Sequence, residues 1–150
     1  MLLHTGLLAI FLLVLTQVFL SSLDSQVESQ ITSTLEQDTR FVFARLAYDL
    51  ENSDSITTPA AIGQTTSSLT LVKSGQSITY SLENNNLVLT DSEGSYALNS
   101  YATTPTALTF TRLGNFGGKN DIQVSFTLQS QTAKGLTFET KTFTTTLGTR

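Results

Sequence analysis

The sequence predicts an α+β fold in which one long N-terminal helix packs on an antiparallel β-sheet. Two observations support this prediction. The chain has no Gly or Pro between Ser21 and Leu50, and its apolar residues there recur at helical spacing. After Pro59, apolar residues alternate with Ser and Thr, which is typical of strands with one buried face. Because the two patterns occupy separate parts of the chain, they indicate an α+β arrangement.

The first twenty residues, Met1 to Leu20, contain no Asp, Glu, Lys or Arg. A helix needs about twenty apolar residues to cross the hydrocarbon core of a bilayer, and this stretch is just long enough. We therefore expect it to lie in a membrane or in the core of a filament. The apolar side chains predicted to make that surface are Leu2, Leu3, Leu7, Leu8, Ile10, Phe11, Leu12, Leu13, Leu15, Val18 and Phe19.

A cleaved secretory signal is the competing interpretation of this segment. Such a signal opens with Lys or Arg and ends with small residues. Here no Lys or Arg precedes Arg40, and only Ser21 and Ser22 resemble a cleavage site. The first charges after the segment, Asp24 and Glu28, are acidic, which is compatible with a C-terminal part that lies outside the cytoplasm.

The helix is expected to continue beyond the apolar segment as an amphipathic helix, so that it runs from Leu2 to about Glu51. Glu36 with Arg40 and Arg45 with Asp49 are spaced to form ion pairs on its surface. The apolar residues predicted to pack the helix on the sheet are Ile31, Leu35, Val42, Leu46 and Leu50. The chain thus divides into a membrane or filament-core half (residues 1–23), an amphipathic half (residues 24–52) and a β domain (residues 53–150).

The β domain is predicted to contain six strands. Their alternating segments are residues 68–72, 78–82, 87–89, 107–113, 122–128 and 137–147. Short turns join the first three strands into a meander, and residues 91–105 are predicted to form a loop. The Gly-rich connection 114–120 is expected to be a flexible hairpin whose Phe116 touches a neighbouring subunit.

Composition argues against several classes of function. The net charge of −4 disfavours nucleic-acid binding, which needs a clustered basic face. The chain has no Cys, and its one His, His4, lies in the apolar segment, so nucleophilic catalysis has no base in the β domain. The acidic turns at 91–94 and 120–121 offer oxygen ligands, but calcium needs six to eight of them converging in space, so we interpret both as solvated turns. We expect no enzymatic activity, cofactor, metal or small-molecule substrate.

Three groups of residues resemble a known family. They are Met1-Leu2-Leu3 with Gly6-Leu7-Leu8-Ala9-Ile10; Glu36-Gln37-Asp38, Arg45-Leu46 and Asp49-Leu50 with Ile56-Thr57-Thr58-Pro59; and Ile122-Gln123-Val124-Ser125-Phe126 and Thr142-Phe143-Thr144-Thr145-Thr146-Leu147 with Arg150. In this layout the chain resembles a type IV pilin, or a minor pseudopilin of the J type from type II secretion. The resemblance covers essentially the whole chain, and the order of helix and strands is more specific than any single motif.

The resemblance implies a subunit that waits in the inner membrane and assembles with other pilin or pseudopilin subunits. The family also has a short basic leader ending in Gly, followed by Phe-Thr-Leu and an acidic residue. Met1-Leu2-Leu3 looks like the stretch after that acidic residue, so either the chain starts at an internal Met or this member lost the processing site. Leader cleavage and N-methylation therefore fall on no residue of this sequence.

Two other classes of function stay open at this point. One is a single-pass membrane-anchored β domain that binds a ligand or partner as a monomer. The other is a secreted enzyme released by cleavage near Ser21. Co-assembly into a filament distinguishes a pilin-like subunit from an anchored monomer, and a mature start near Ser21 would indicate the secreted enzyme.

Overall fold

The computed structural model describes residues 2–114, 120–134 and 137–149. The predicted hairpin with Phe116 lies outside these residues. Within them the protein has one helix, α1 (Leu2–Glu51), followed by nine strands in two antiparallel sheets. The predicted α+β class is therefore confirmed, and the strands divide between two sheets rather than forming one.

Helix α1 is unbroken over 50 residues, about 75 Å at 1.5 Å per residue. No Pro occurs in it, and Gly6 is its one Gly, so nothing in the sequence interrupts the backbone ladder. After Glu51, the side chains of Asn52 and Ser53 turn back and donate hydrogen bonds to the last carbonyl groups of the helix. Asn52 Nδ2 donates to the Tyr48 carbonyl at 2.7 Å, and Ser53 Oγ donates to the Leu50 carbonyl at 2.8 Å.

The first sheet has five strands in the order β1-β3-β4-β5-β6 and the second has four in the order β2-β7-β8-β9. The bounds of the nine strands are β1 Ser55–Thr58, β2 Thr65–Thr66, β3 Leu69–Lys73, β4 Gln76–Glu83, β5 Asn86–Thr90, β6 Ser95–Ala97, β7 Thr103–Gly114, β8 Asn120–Lys134 and β9 Thr137–Gly148. The chain enters the second sheet briefly at β2, returns to the first sheet at β3, and crosses finally to the second sheet between β6 and β7. Asn99 holds this crossing in place, since its side chain accepts from Leu87 N and donates to the Thr103 carbonyl.

The six predicted strands are present, and three short strands were missed. β1, β2 and β6 contain four, two and three residues, too few to show a period of two in the sequence. Each exists because a longer strand supplies its hydrogen bonds: β1 pairs with β3, β2 with β7 and β6 with β5. The predicted loop 91–105 consequently contains β6 and the first residues of β7.

The core lies between α1 and the two sheets. The alternation of Ile122, Val124, Phe126 and Leu128 in β8 buries one face, as the sequence predicted. Phe126 is central: its ring lies 5.0 Å from that of Phe43 on α1 and 5.9 Å from that of Phe143 on β9. Because helix and sheet meet through such contacts, the second half of α1 is an integral part of the β domain.

Candidate functional site

The apolar first half of α1 projects from the β domain and is the most distinctive surface of the molecule. An 18-residue window of the helix has a mean hydropathy of 2.3, and none of that window is buried. By length and composition the helix can cross a membrane. Water is a poor solvent for such a surface, because each exposed apolar side chain loses about 1.5–3 kcal/mol relative to full burial.

The residues predicted for the membrane or filament core all lie on this projecting surface, as far as their side chains are described. Exposed members of the set are Leu3, Leu7, Leu8, Ile10, Phe11, Leu12, Leu13, Leu15, Val18 and Phe19. They surround the helix instead of forming one stripe. No part of the described chain covers them, so the surface can be satisfied by lipid or by another protein.

The residues predicted to pack α1 on the sheet lie in the hydrophobic core. All five are buried: Ile31, Leu35, Val42, Leu46 and Leu50. Val27 and Phe43 on the same helix are partly buried and pack against them. The packed half of α1 thus begins near Val27, a few residues beyond the end of the apolar segment.

A buried carboxylate fixes the C-terminal end of α1 to the first sheet. The Asp49 side chain has no solvent exposure. Its Oδ2 accepts from the Tyr80 hydroxyl at 2.6 Å and from Arg45 Nε at 2.8 Å, and its Oδ1 lies 3.2 Å from Lys73 Nζ. The Arg45–Asp49 pair predicted from the sequence is therefore present, inside a larger network.

The charges of this network are set by the balance between burial and hydrogen bonding. Burial acts to raise the pKa of Asp49, but hydrogen bonds from Tyr80, Arg45 and Lys73 outweigh it and hold that pKa below its usual value. Burial, together with the hydrogen bond to Asp49, raises the pKa of Tyr80. Hydrogen bonding to Asp49 raises the pKa of Arg45. At neutral pH Asp49 is thus an ionised acceptor with three donors around it, an arrangement that stabilises the fold.

A second carboxylate fixes the middle of α1 to the crossing between the sheets. Asp38 is buried, and its Oδ2 accepts from Ser100 N at 3.0 Å, Ser100 Oγ at 2.8 Å and Thr103 Oγ1 at 2.5 Å. Sequence reasoning did not assign this role to Asp38 or to Asp49. Their spacing carried a signal, because each lies three residues after an apolar position of the packed stripe, Leu35 or Leu46, and therefore faces the sheet.

Strand β9 is the last strand of the four-stranded sheet, and no other strand among the described residues pairs with its outer edge. Its N–H groups alternate in direction, and Thr149 N donates to the Asn120 carbonyl at 3.0 Å. Thr149 is therefore a hydrogen-bonded position, and every second residue before it in β9 bonds to β8 in the same way. These are the odd-numbered residues. The even-numbered residues from Thr140 to Gly148 direct their N–H and C=O groups away from β8. Short Oγ contacts between Thr142 and Thr127 agree, since side chains approach most closely at pairs without ladder bonds.

Of the two predicted acidic turns, the one at 91–94 is present, whereas residues 120–121 form the start of β8. Asp91 Oδ1 accepts from Glu93 N at 2.8 Å and from Gly94 N at 3.1 Å, so that this carboxylate closes its own turn. Among the described residues, no group of three or more His, Cys, Asp or Glu side chains is placed to hold a metal ion.

No family model, curated protein or solved structure matches this chain. The central features of the structure are the projecting apolar helix, the two carboxylates that fix the rest of that helix to the sheets, and the outer edge of β9.

Proposed function

We propose that the protein is a structural, non-enzymatic subunit of a type IV pilus or of a type II secretion-like filament, either a minor pilin or a pseudopilin. The observation that carries this proposal is the unbroken course of α1. One half is apolar on all sides and exposed, and the other half is built into the β domain. Such a helix connects a membrane or filament core rigidly to a domain that lies outside it.

The exposed half can be accommodated in two environments. Lipid tails solvate it in a bilayer, where the intact helical ladder satisfies every backbone group. In a filament, the same side chains pack against the apolar helices of neighbouring subunits. A segment that is apolar on all sides suits both environments, because lipid or helices surround it completely.

The packed half of α1 supports a role in transmitting force. Asp38 and Asp49 lie about 16 Å apart along α1, since eleven residues at 1.5 Å each separate them. They fix the helix to the crossing between the sheets and to the first sheet. A force on the apolar half is therefore transmitted to the β domain as to one body, which a subunit that is extracted from a membrane requires.

The open β9 edge favours assembly over a solitary anchored module. Natural proteins usually shorten, charge or cover an edge strand, because a long one can pair with another chain. β9 is 12 residues long, and its even-numbered positions from 140 to 146 are all Thr. In the proposed assembly, the β domain lies outside the cytoplasm and this edge is available for lateral contacts with other subunits.

Site-specific photocrosslinking tests the proposal. A photoreactive phenylalanine analogue replaces Phe11 in the full chain, produced in its native cells, and surface filaments and membranes are irradiated separately. We expect the filament fraction to contain adducts between this position and the N-terminal helix of another subunit, identified by mass spectrometry. The same analogue at Phe126, which is buried in the core, is the control and should give no adduct between subunits.

Adducts with lipid alone, in a protein that never enters a filament or pseudopilus fraction, would contradict the proposal. That result would favour the membrane-anchored β domain that acts as a monomeric binding or adhesion module. Recovery of a mature protein that lacks the apolar segment would favour a secreted product. Each outcome thus selects one of the three functional classes.

A further inference from the structure

We propose that the base of the β domain rests in the headgroup layer of the membrane through two exposed aromatic side chains, Tyr101 and Phe138. The base is defined as the Leu98–Ala102 loop together with the β8 and β9 residues nearest their shared turn. This inference depends on the membrane-spanning part of the proposed function, which the filament subunit and the anchored monomer have in common.

The direction of the second sheet brings the base towards the membrane. Phe126 of β8 packs on Phe43 of α1 with ring centres 5.0 Å apart. Further towards the β8–β9 turn, Lys141 Nζ lies 3.4 Å from Glu36 Oε1. Moving along the strands towards that turn therefore leads to earlier positions of the helix, nearer its apolar half.

A cavity between the base and α1 shows which helix positions lie beside the base. Its volume is about 380 Å³, and α1 residues and base residues line it together, among them Val27, Gln30, Tyr101 and Thr132. The membrane or filament-core half of α1, counted from Leu3 to Leu23, spans about 30 Å, the thickness of a hydrocarbon core.

The base lies close to the end of that span. Gln30 lies about 10 Å beyond Leu23 along the helix, and the interfacial layer extends about 5–7 Å beyond the core. Aromatic side chains at this level can reach that layer.

Tyr101 is 98% exposed although its loop is held firmly in place. Asp38 binds both the N–H and the hydroxyl of Ser100, and Gln131 N donates to the Ala102 carbonyl at 2.8 Å. A fixed loop that presents a bare tyrosine ring beside a membrane helix is explained by an interfacial partner. Tyrosine is enriched at that depth, because its ring is apolar and its hydroxyl is polar.

Phe138 provides a second contact from a separate element. It is 51% exposed at the start of β9 and is paired with Ala133, one residue beyond Thr132 of the cavity wall. The part of the base that contains the Leu98–Ala102 loop has no charged residue between Leu98 and Thr111, so no ionic group has to be desolvated there. Two aromatic side chains beside one helix fix the tilt of the β domain on the membrane, whereas the helix alone leaves it free to rotate.

The absence of Trp from the sequence permits a direct test. Four full-length variants, each with a single Trp, are reconstituted in phosphatidylcholine vesicles that contain no brominated lipid, lipid brominated near the headgroup, or lipid brominated along the acyl chains: Tyr101→Trp, Phe138→Trp, Tyr48→Trp and Phe11→Trp. Tyr48 is exposed on the same helix, about 37 Å beyond Leu23, and is the control outside the membrane. Phe11 lies in the proposed span and reports on insertion.

We expect emission to shift to shorter wavelength in Phe11→Trp, Tyr101→Trp and Phe138→Trp, but not in Tyr48→Trp. Tyr101→Trp and Phe138→Trp should lose intensity with lipid brominated near the headgroup, and Phe11→Trp with lipid brominated along the acyl chains. A response at both base positions supports the proposal, and a response at only one overturns the two-point contact. If only Phe11→Trp responds, the span stands and the base contact is overturned. If Phe11→Trp also fails to respond, the base contact is overturned together with the membrane span.

Discussion

The two halves of α1 belong to one unbroken helix, yet their leucines have opposite surroundings. Leu12 in the first half is 54% exposed, and Leu46 in the second half is completely buried. The first half is apolar on all sides, whereas the second half has an apolar stripe that matches one side of the β domain. The comparison shows that helix formation and burial are separate requirements, and that no described part of the chain covers the first half.

The largest effect is expected when a charge is placed in the exposed half of α1. Leu12→Asp places a carboxylate near the middle of the proposed span, at a cost of about 2.5–3.5 kcal/mol for membrane insertion. We expect the variant to be lost from the membrane fraction and from filaments, while thermal unfolding of its β domain is unchanged, because Leu12 lies before the packed part of α1. Leu12→Phe is the control and should behave as wild type. Normal retention and incorporation of Leu12→Asp would contradict the role assigned to this half.

The second prediction compares the same truncation in both halves. Leu46→Ala removes a fully buried side chain and should lower the free energy of unfolding by about 2–5 kcal/mol. Leu13→Ala, in the exposed half, should leave it unchanged. Denaturant unfolding of the full chain in mild detergent, followed by circular dichroism, measures both values. Equal losses in the two variants would show that the halves are stabilised in the same way and would remove the distinction.

A smaller effect is expected at the carboxylate that fixes the packed half. Asp49→Asn keeps an acceptor for the Tyr80 hydroxyl but removes the charge that faces Arg45 and Lys73, and should reduce stability by about 1–3 kcal/mol at neutral pH. Asp24→Asn, the same substitution at an exposed position of α1, should have little effect.

The effect of Asp49→Asn should depend on pH in a defined direction. The folded-state pKa of Asp49 lies below its unfolded value, so its contribution is present above about pH 4 and is lost as the pH falls through the folded-state pKa. The difference in stability between wild type and Asp49→Asn should therefore be constant near neutrality and shrink in acid. Unfolding curves from pH 7 downwards measure this difference, and a gap that widens in acid would show that the sign is wrong.

Much of the architecture could be predicted because its signals are local. The bounds of α1 follow from the missing Gly and Pro and from the spacing of residues such as Leu35 and Leu46. The alternation from Ile122 to Leu128 likewise identified β8 and its buried face. In both cases the pattern spans several periods, so that it exceeds the variation expected from composition alone.

Other features could not be predicted because they depend on partners distant in the sequence. β2 consists of Thr65 and Thr66 and exists through pairing with Thr111 and Phe110. The division of the strands between two sheets depends on the crossing near Asn99, and a polar loop sequence does not reveal it. Asp49 resembled one half of a surface ion pair until the fold placed Tyr80 and Lys73 beside it.

The sequence by itself determined an apolar segment long enough to span a membrane, its continuation as an amphipathic helix, and a β domain of Thr-rich alternating strands. These properties follow from composition and from periods of 3.6 and 2, which are set by neighbours a few residues apart. Only the tertiary structure decided which carboxylates face the sheets, which edge of β9 stays open, and how near Tyr101 lies to the helix. Those relations join residues tens of positions apart, and they arise when the buried faces of helix and sheets meet.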